Sequence, residues 1–161
     1  MTRRRVGFAR WRSDVASGGN RYDDELAAGL RSLGLDLREY AVTGSWPFPE
    51  PHDRRRVTEV LASEQDWLID NIVGSAAPET IAAVTTAGRR VTLLVHYFPT
   101  DDPMVASGDR ERLASAEAQA VKAASSIVVT SAWAAREVSA RYGRHDAVVA
   151  APGQGPRSHC P

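Results

Sequence analysis

Short apolar runs alternate along this chain of 161 residues with segments in which apolar residues recur every three or four positions. The short runs predict β-strands, and the wider spacing predicts amphipathic helices. Strands are predicted at residues 5–9, 35–42, 67–70, 91–96, 125–130 and 147–153. Helices are predicted between them, at residues 20–33, 54–63, 78–87, 109–124 and 132–142. Ser131 is the predicted N-cap of the last of these helices, and Gly143 is predicted to end it.

The strand at residues 91–96 is apolar along nearly its whole length, which is typical of a parallel sheet buried on both faces. Strands and helices that alternate with short links predict an α/β fold, a Rossmann-like parallel sheet with helices on both faces. We expect one domain at residues 1–153. The Gly- and Pro-rich segment 154–161 is interpreted as an interdomain linker remnant or disordered tail.

Composition narrows the partners and the compartment. The formal net charge is zero, which gives no electrostatic case for nucleic acid as a partner. The only cysteine is Cys160, so no disulfide forms within the chain, and a reducing cytoplasm is the expected location. No apolar run approaches the roughly 20 residues of a membrane-spanning helix, although peripheral membrane contact stays open.

Polar residues collect where the predicted strands end. In open parallel sheets, ligands bind outside the carboxyl ends of the strands. At those ends the sequence places residues 10–20 after the first strand, Asp70 and Asn71 after the third, His96 after the fourth, and Thr130 and Ser131 after the fifth. We therefore expect a ligand site along this edge.

Gly18 and Gly19 stand directly before the helix that is predicted to begin at Asn20. A helix N-terminus attracts phosphate, and glycine lets a ligand approach the backbone closely. The pair suits a diphosphate or a sugar, and it also suits a simple tight turn. The loop does not match the G-x-G-x-x-G pattern, and the chain has no phosphate-binding P-loop motif, which argues against a classical NAD site and a P-loop nucleotidase.

Two titratable residues on this edge have two interpretations each. His96 is either a structural histidine at the sheet rim or an imidazole that faces a ligand. Asp70 is either a general base or a cap for the segment that follows it.

Other charged residues give weaker indications. Arg10 and Arg12, with Trp11 between them, either grip an anionic or sugar acceptor or form a solvated basic loop. Asp101 and Asp102 resemble a pair of metal-binding carboxylates, but they lie in a proline-bounded loop. We interpret them as solvated charges. No metal site is expected.

Five segments carry a family resemblance when they are taken in order: "SGGNRYDDELAAGLRSLGLDLREYAVTGSWP", "WLIDNIVGSAAPE", "VTLLVHYFP", "AEAQAVKAASSIVVTSAWAAREVSARYG" and "VVAAPG". They resemble the N-terminal domain of family 4 retaining glycosyltransferases, which have the GT-B fold. The resemblance depends on a combination: a glycine pair after the first strand, "VH" at the end of the fourth, and "VVTS" leading into a helix.

The resemblance implies transfer of a sugar from a nucleotide-diphosphate donor to an acceptor, with retention and without a cofactor or a metal at the diphosphate. In that family the N-terminal domain mainly holds the acceptor. His96 would contact the transferred sugar and is the catalytic candidate. The donor- or acceptor-binding candidates are Gly18, Gly19, Asn20, Asp70, Asn71, Thr130 and Ser131.

Two departures from the family pattern qualify this reading. Tyr22 and Asp23 stand where family members often have a histidine, and "PGQG" replaces the family's "PGVD". The implied partners are a nucleotide sugar, a small-molecule, glycan or lipid acceptor, and a C-terminal donor-binding domain in cis or in trans. The alternative is a non-catalytic Rossmann-like module, or a truncated product, that binds only an acceptor or partner.

Overall fold

The computed structural model of the chain describes residues 4–12 and 18–153. Its strands are β1 Arg5–Trp11, β2 Asp36–Val42, β3 Asp66–Asp70, β4 Arg90–Val95, β5 Ser126–Val129 and β6 Val148–Val149. Its helices are α1 Gly18–Ser32, α2 Pro51–Leu61, α3 Asn71–Gly74, α4 Pro78–Thr86, α5 Ser107–Ala123 and α6 Ala132–Tyr142, and a short 3-10 helix covers Pro99–Asp101. The predicted linker remnant at 154–161 lies outside the described residues.

All described strands pair in parallel in one six-stranded sheet, in the order β2-β1-β3-β4-β5-β6. The connection from β1 leads to β2 at one edge of the sheet. Every later connection leads to a strand nearer the opposite edge, where β6 lies. Because parallel crossovers are right-handed, α1 lies on one face of the sheet and the later helices lie on the opposite face. The predicted fold class, a Rossmann-like α/β sheet with helices on both faces, is confirmed.

The larger part of the core lies on the face opposite α1. There the strand side chains Trp67, Ile69, Leu93 and Ile127 pack against helices α2, α4, α5 and α6 in one buried cluster. Trp67 is held in place by its indole N–H, which donates to the Leu61 carbonyl oxygen over 3.0 Å.

Helix α1 covers the second face with a smaller cluster. Ala27 of α1 packs with Phe8, Leu37, Leu68 and Leu94 of the sheet, and all five side chains are buried. A mostly apolar groove of about 640 Å³ lies beside α1 on this face. The two faces are therefore unequally covered.

Several predicted boundaries move by a few residues. Strand β1 continues to Trp11, beyond the predicted end at residue 9, because it pairs with the whole of β2. Helix α2 begins at Pro51 and not at residue 54, because proline fits the first helical turn and the Asp53 carboxylate accepts a 3.0 Å hydrogen bond from the Glu50 backbone N–H. Among the described residues, none of the helices combines the length and the apolar character needed to cross a membrane.

Candidate functional site at the carboxyl edge of the sheet

Three adjacent strands carry a polar, titratable residue at their carboxyl ends, on the face that α1 covers. In each case it stands two positions after a buried apolar residue of that face: Arg10 after Phe8 in β1, Asp70 after Leu68 in β3, and His96 after Leu94 in β4. Side chains two positions apart in a strand point to the same face. The three side chains therefore meet under the start of α1.

Asp23 of α1 closes this group from above. It precedes the buried Ala27 by one helical turn, so it lies on the buried face of the helix, and it is only 1% exposed. Its Oδ1 is 2.8 Å from His96 Nε2, and its Oδ2 is 3.6 Å from Arg10 Nε. We call Arg10, Asp23, Asp70 and His96 the edge cluster.

Arg10 connects the edge cluster to the beginning of α1. Its Nη1 donates to Asp24 Oδ1 over 2.7 Å and to Glu39 Oε2 over 3.3 Å, and its Nη2 donates to the backbone carbonyl of Asn20 over 3.1 Å. The solvated basic loop considered from the sequence is wrong for this residue. Arg10 belongs to β1 and is 2% exposed, because carboxylates on two elements compensate its buried charge.

Asp70 and Asn71 fix the ends of two neighbouring strands. Asp70 Oδ1 accepts a 3.0 Å hydrogen bond from the Ile72 backbone N–H and caps α3, so the capping interpretation is confirmed. Asn71 Oδ1 accepts from the His96 backbone N–H over 3.1 Å, and Asn71 Nδ2 donates to the Tyr97 carbonyl over 2.7 Å. His96 is thereby held at a fixed position relative to β3.

The pKa values of Asp70 and His96 are both raised, for different reasons. Burial raises the pKa of Asp70 to about 6; His96 opposes this shift, and Asp23 adds to it. Burial alone would lower the pKa of His96, but the carboxylates of Asp23 and Asp70 outweigh it and raise the pKa of the imidazole. The edge of the Tyr22 ring covers the imidazole, with ring centroids 5.2 Å apart.

The mouth of α1, which is its first turn, lies next to the edge cluster. Gly18 is exposed, and among the described residues, which do not include 13–17, a Cβ placed there would meet nothing within 4 Å. Gly18 and Gly19 are the first two residues of the helix, so the helix start predicted at Asn20 is wrong by one half-turn. The first four N–H groups of a helix lack helical partners, and the two glycines fall among them.

The earlier start of α1 also changes the place of its acidic residues. A helix that began at Asn20 would have Asp23 in its first turn, where a carboxylate favours the positive end of the helix dipole. Because the helix begins at Gly18, its first turn holds no acidic residue, and Asp23 lies in the second turn, pointing into the sheet.

Thr130 and Ser131 follow β5, the next strand along the same edge. Ser131 Oγ accepts a 3.1 Å hydrogen bond from the Ala134 backbone N–H, so this residue caps α6 as predicted. Asp101, predicted to be solvated, is exposed but forms an ion pair with Arg141 over 2.7 Å.

Asp23, Asp70 and His96 also form a group with the composition of a metal site. Each offers one ligand atom, and these atoms all lie within 4.8 Å of one another. Asp23 was missed as a site residue, and Arg10 was left between two interpretations. The spacing along the chain could have indicated that both side chains are buried on this face. Asp23 is four residues before Ala27 on the same helix, and Arg10 is two residues after Phe8 in the same strand.

The fold and the site together define a Rossmann-like α/β domain with a buried charged cluster where ligands of such sheets bind. No protein-family profile matches the chain, and no curated protein sequence gives a significant match.

Proposed function

We propose that this domain is the N-terminal half of a retaining glycosyltransferase, which transfers a sugar from a nucleotide-diphosphate donor to an acceptor. The observation that carries the proposal is the exposed Gly18 at the mouth of α1, with the edge cluster beside it. A donor-binding domain, in cis or in trans, would complete the site. The acceptor is a small molecule, a glycan or a lipid.

The mouth of α1 supplies what a diphosphate requires. The positive end of the helix dipole favours an anion there, and among the described residues nothing lies within 4 Å of a Cβ placed at Gly18. His96 lies beneath the second turn of the same helix, where its raised pKa favours the imidazolium form. A positive imidazole at this position stabilises negative charge on a donor or its leaving group.

Substitution of the first glycine separates binding from folding. Gly18→Leu fills open space, so we expect normal folding but at least a tenfold loss of sugar transfer and of donor affinity. The assay supplies a donor-binding domain and a panel of nucleotide-diphosphate sugars, and it measures nucleotide release together with product formation. Gly29→Leu is the matched control, because it lies on the same helix in equally open surroundings.

Two results would contradict the proposal. One is the absence of transfer from every donor by the folded wild-type protein in the completed assembly. The other is equal activity of the Gly18→Leu and Gly29→Leu variants, since the mouth of α1 would then have no role.

A binding-only module is the second candidate, and one observation favours it. The Nε2 atom of His96 faces Asp23 inside the protein and is not directed at solvent. If the completed assembly binds an acceptor but never turns over, and if His96→Ala leaves that binding unchanged, the binding-only function replaces the transferase.

A further inference from the structure

We propose that Asp23, Asp70 and His96 bind one divalent first-row transition-metal ion, of which zinc(II) is the type. The site is formed by helix α1 and the ends of strands β3 and β4. This inference goes beyond the transferase proposal, which places no metal at the diphosphate and does not depend on one here.

The contact between Asp23 and His96 has an unusual geometry. His96 Nε2 and Asp23 Oδ1 are 2.8 Å apart, yet within the described residues neither atom makes a well-aligned hydrogen bond. In an ordinary imidazole–carboxylate pair the N–H points at the oxygen. Two ligands of one metal ion instead direct their lone pairs at a shared point, and bonds of about 2.0–2.2 Å place the two ligand atoms roughly 3 Å apart.

The buried carboxylate of Asp23 is not fully satisfied by its neighbours. Within the part of the chain that the structure describes, both of its oxygens lack a well-aligned hydrogen bond, although the residue is 1% exposed. A buried carboxylate without such hydrogen bonds is costly even beside positive groups. A metal ion bound by one of these oxygens supplies the missing partner.

Arg10 does not fill that role. Its Nη1 and Nη2 groups donate to Asp24, Glu39 and the Asn20 carbonyl. Its Nε stays 3.6 Å from Asp23 Oδ2 and has no hydrogen bond among the residues that the structure describes. The carboxylates of Asp24 and Glu39 share the Arg10 charge. Two buried carboxylates, Asp23 and Asp70, are thus left to face the His96 ring, which accommodates a dication.

Asp70 and His96 are held in place before any metal binds. The Ile72 backbone N–H fixes one oxygen of Asp70. Asn71 holds the His96 backbone, and the Tyr22 ring packs edge-on against the imidazole. Such supporting contacts orient metal ligands and are a regular feature of metal sites.

The ligand chemistry selects the class of ion. One imidazole nitrogen and two carboxylate oxygens suit zinc, cobalt or iron, whereas magnesium and calcium prefer ligands that are all oxygen. Three protein ligands leave at least one coordination position for water or another small molecule.

The test uses the full chain, stripped with a chelator and without any nucleotide sugar. We expect one cobalt(II) ion to bind per chain and to give absorption bands in the visible range. Zinc(II) should displace the cobalt(II) and abolish these bands, whereas magnesium(II) should not compete. His96→Ala and Asp23→Asn should each weaken zinc(II) affinity at least tenfold in calorimetry. The matched controls are Asp24→Asn, next in sequence to Asp23, and His145→Ala, an exposed histidine, and both should bind like wild type.

The proposal is overturned if the wild-type chain binds neither cobalt(II) nor zinc(II), or if His96→Ala and His145→Ala bind equally well. If a variant does not fold, NMR of the wild-type chain provides the test. Zinc(II) must then shift the His96 imidazole resonances and leave those of His145 unchanged. Because no sugar donor is present, a negative result leaves the transferase proposal standing. A positive result assigns His96 Nε2 to the metal instead of to the transferred sugar.

Discussion

At the scale of single residues, Asp23 shows how one buried carboxylate links an α-helix to a sheet. It lies between the Arg10 guanidinium and the His96 imidazole, and all three side chains are at most 10% exposed. Removing one member of such a group leaves the other charges buried without a counterion.

We therefore expect Asp23→Ala to lower the free energy of unfolding by about 3–5 kcal/mol. Asp24→Ala removes a neighbouring carboxylate that also contacts Arg10, but the Asp24 side chain is 66% exposed, so its loss should cost less than about 1 kcal/mol. Urea unfolding of the two variants measures the difference. Equal effects would show that the buried position of Asp23 has no special importance.

Packing at the residue scale is tight where β1 passes beside the buried Trp67 ring. A Cβ added to Gly7 would lie 2.4 Å from the Trp67 ring, and the ring is fixed by its indole hydrogen bond. We expect Gly7→Ala to lower the free energy of unfolding by about 1–3 kcal/mol through overpacking.

Gly108→Ala is the control for this substitution, because a Cβ at Gly108 meets nothing within 4 Å. Chemical denaturation should show Gly108→Ala as stable as wild type or more stable. A Gly7→Ala protein of unchanged stability would mean that the Trp67 ring has room to move.

At the scale of elements, α6 has the clearest local determinants. Ser131 caps its first turn, and Gly143 ends it in the left-handed conformation, with φ of 67°. Both features were predicted from the sequence, because caps depend on residues that are adjacent in the chain.

We expect Ser131→Ala to lower the free energy of unfolding by about 1 kcal/mol, and Ser131→Asp to retain most of the stability because aspartate is an equally good N-cap. Thermal unfolding of the two variants measures this. The pair also tests whether Ser131 is a donor- or acceptor-binding residue, as the family resemblance implies. If the hydroxyl contacts a substrate, both variants lose transfer activity, whereas a purely structural cap makes Ser131→Asp as active as wild type.

At the scale of the whole molecule, buried acids make stability depend on pH. Glu117 of α5 is 1% exposed and accepts a hydrogen bond from the Tyr142 hydroxyl. Burial raises the pKa of Glu117 from 4.5 to about 7, with Arg141 opposing the shift and Asp101 adding to it. The folded protein therefore holds this proton more tightly than the unfolded chain does.

The stability that this proton contributes is complete below about pH 4.5 and is lost as the pH rises through about 7. We expect the free energy of unfolding to fall by up to about 3 kcal/mol over this interval through Glu117. Glu117→Gln cannot ionise, so its stability should fall less than that of wild type between pH 5 and pH 8. Asp70, whose pKa is raised to about 6, adds a decrease of the same sign in both proteins. Equal pH dependence of the two proteins in urea unfolding would refute the assignment to Glu117.

The sequence by itself determined the alternation of strands and helices, the parallel sheet and the caps of α6. These properties depend on hydrophobic period and on adjacent residues, so they can be worked out without knowing which elements touch. It also placed Asp70, Asn71 and His96 at the correct edge, because strand ends in a parallel sheet share one side.

Only the tertiary structure decided which of these polar residues meet. The pairing of Asp23 with His96 depends on the start of α1, on the register of the strands beneath it and on the face to which the crossover carries the helix. The burial of Arg10 depends on carboxylates from α1 and β2 that lie far from it in the chain. Charge pairing is set by distances of a few ångströms across elements, and the order of residues along the chain does not fix such distances.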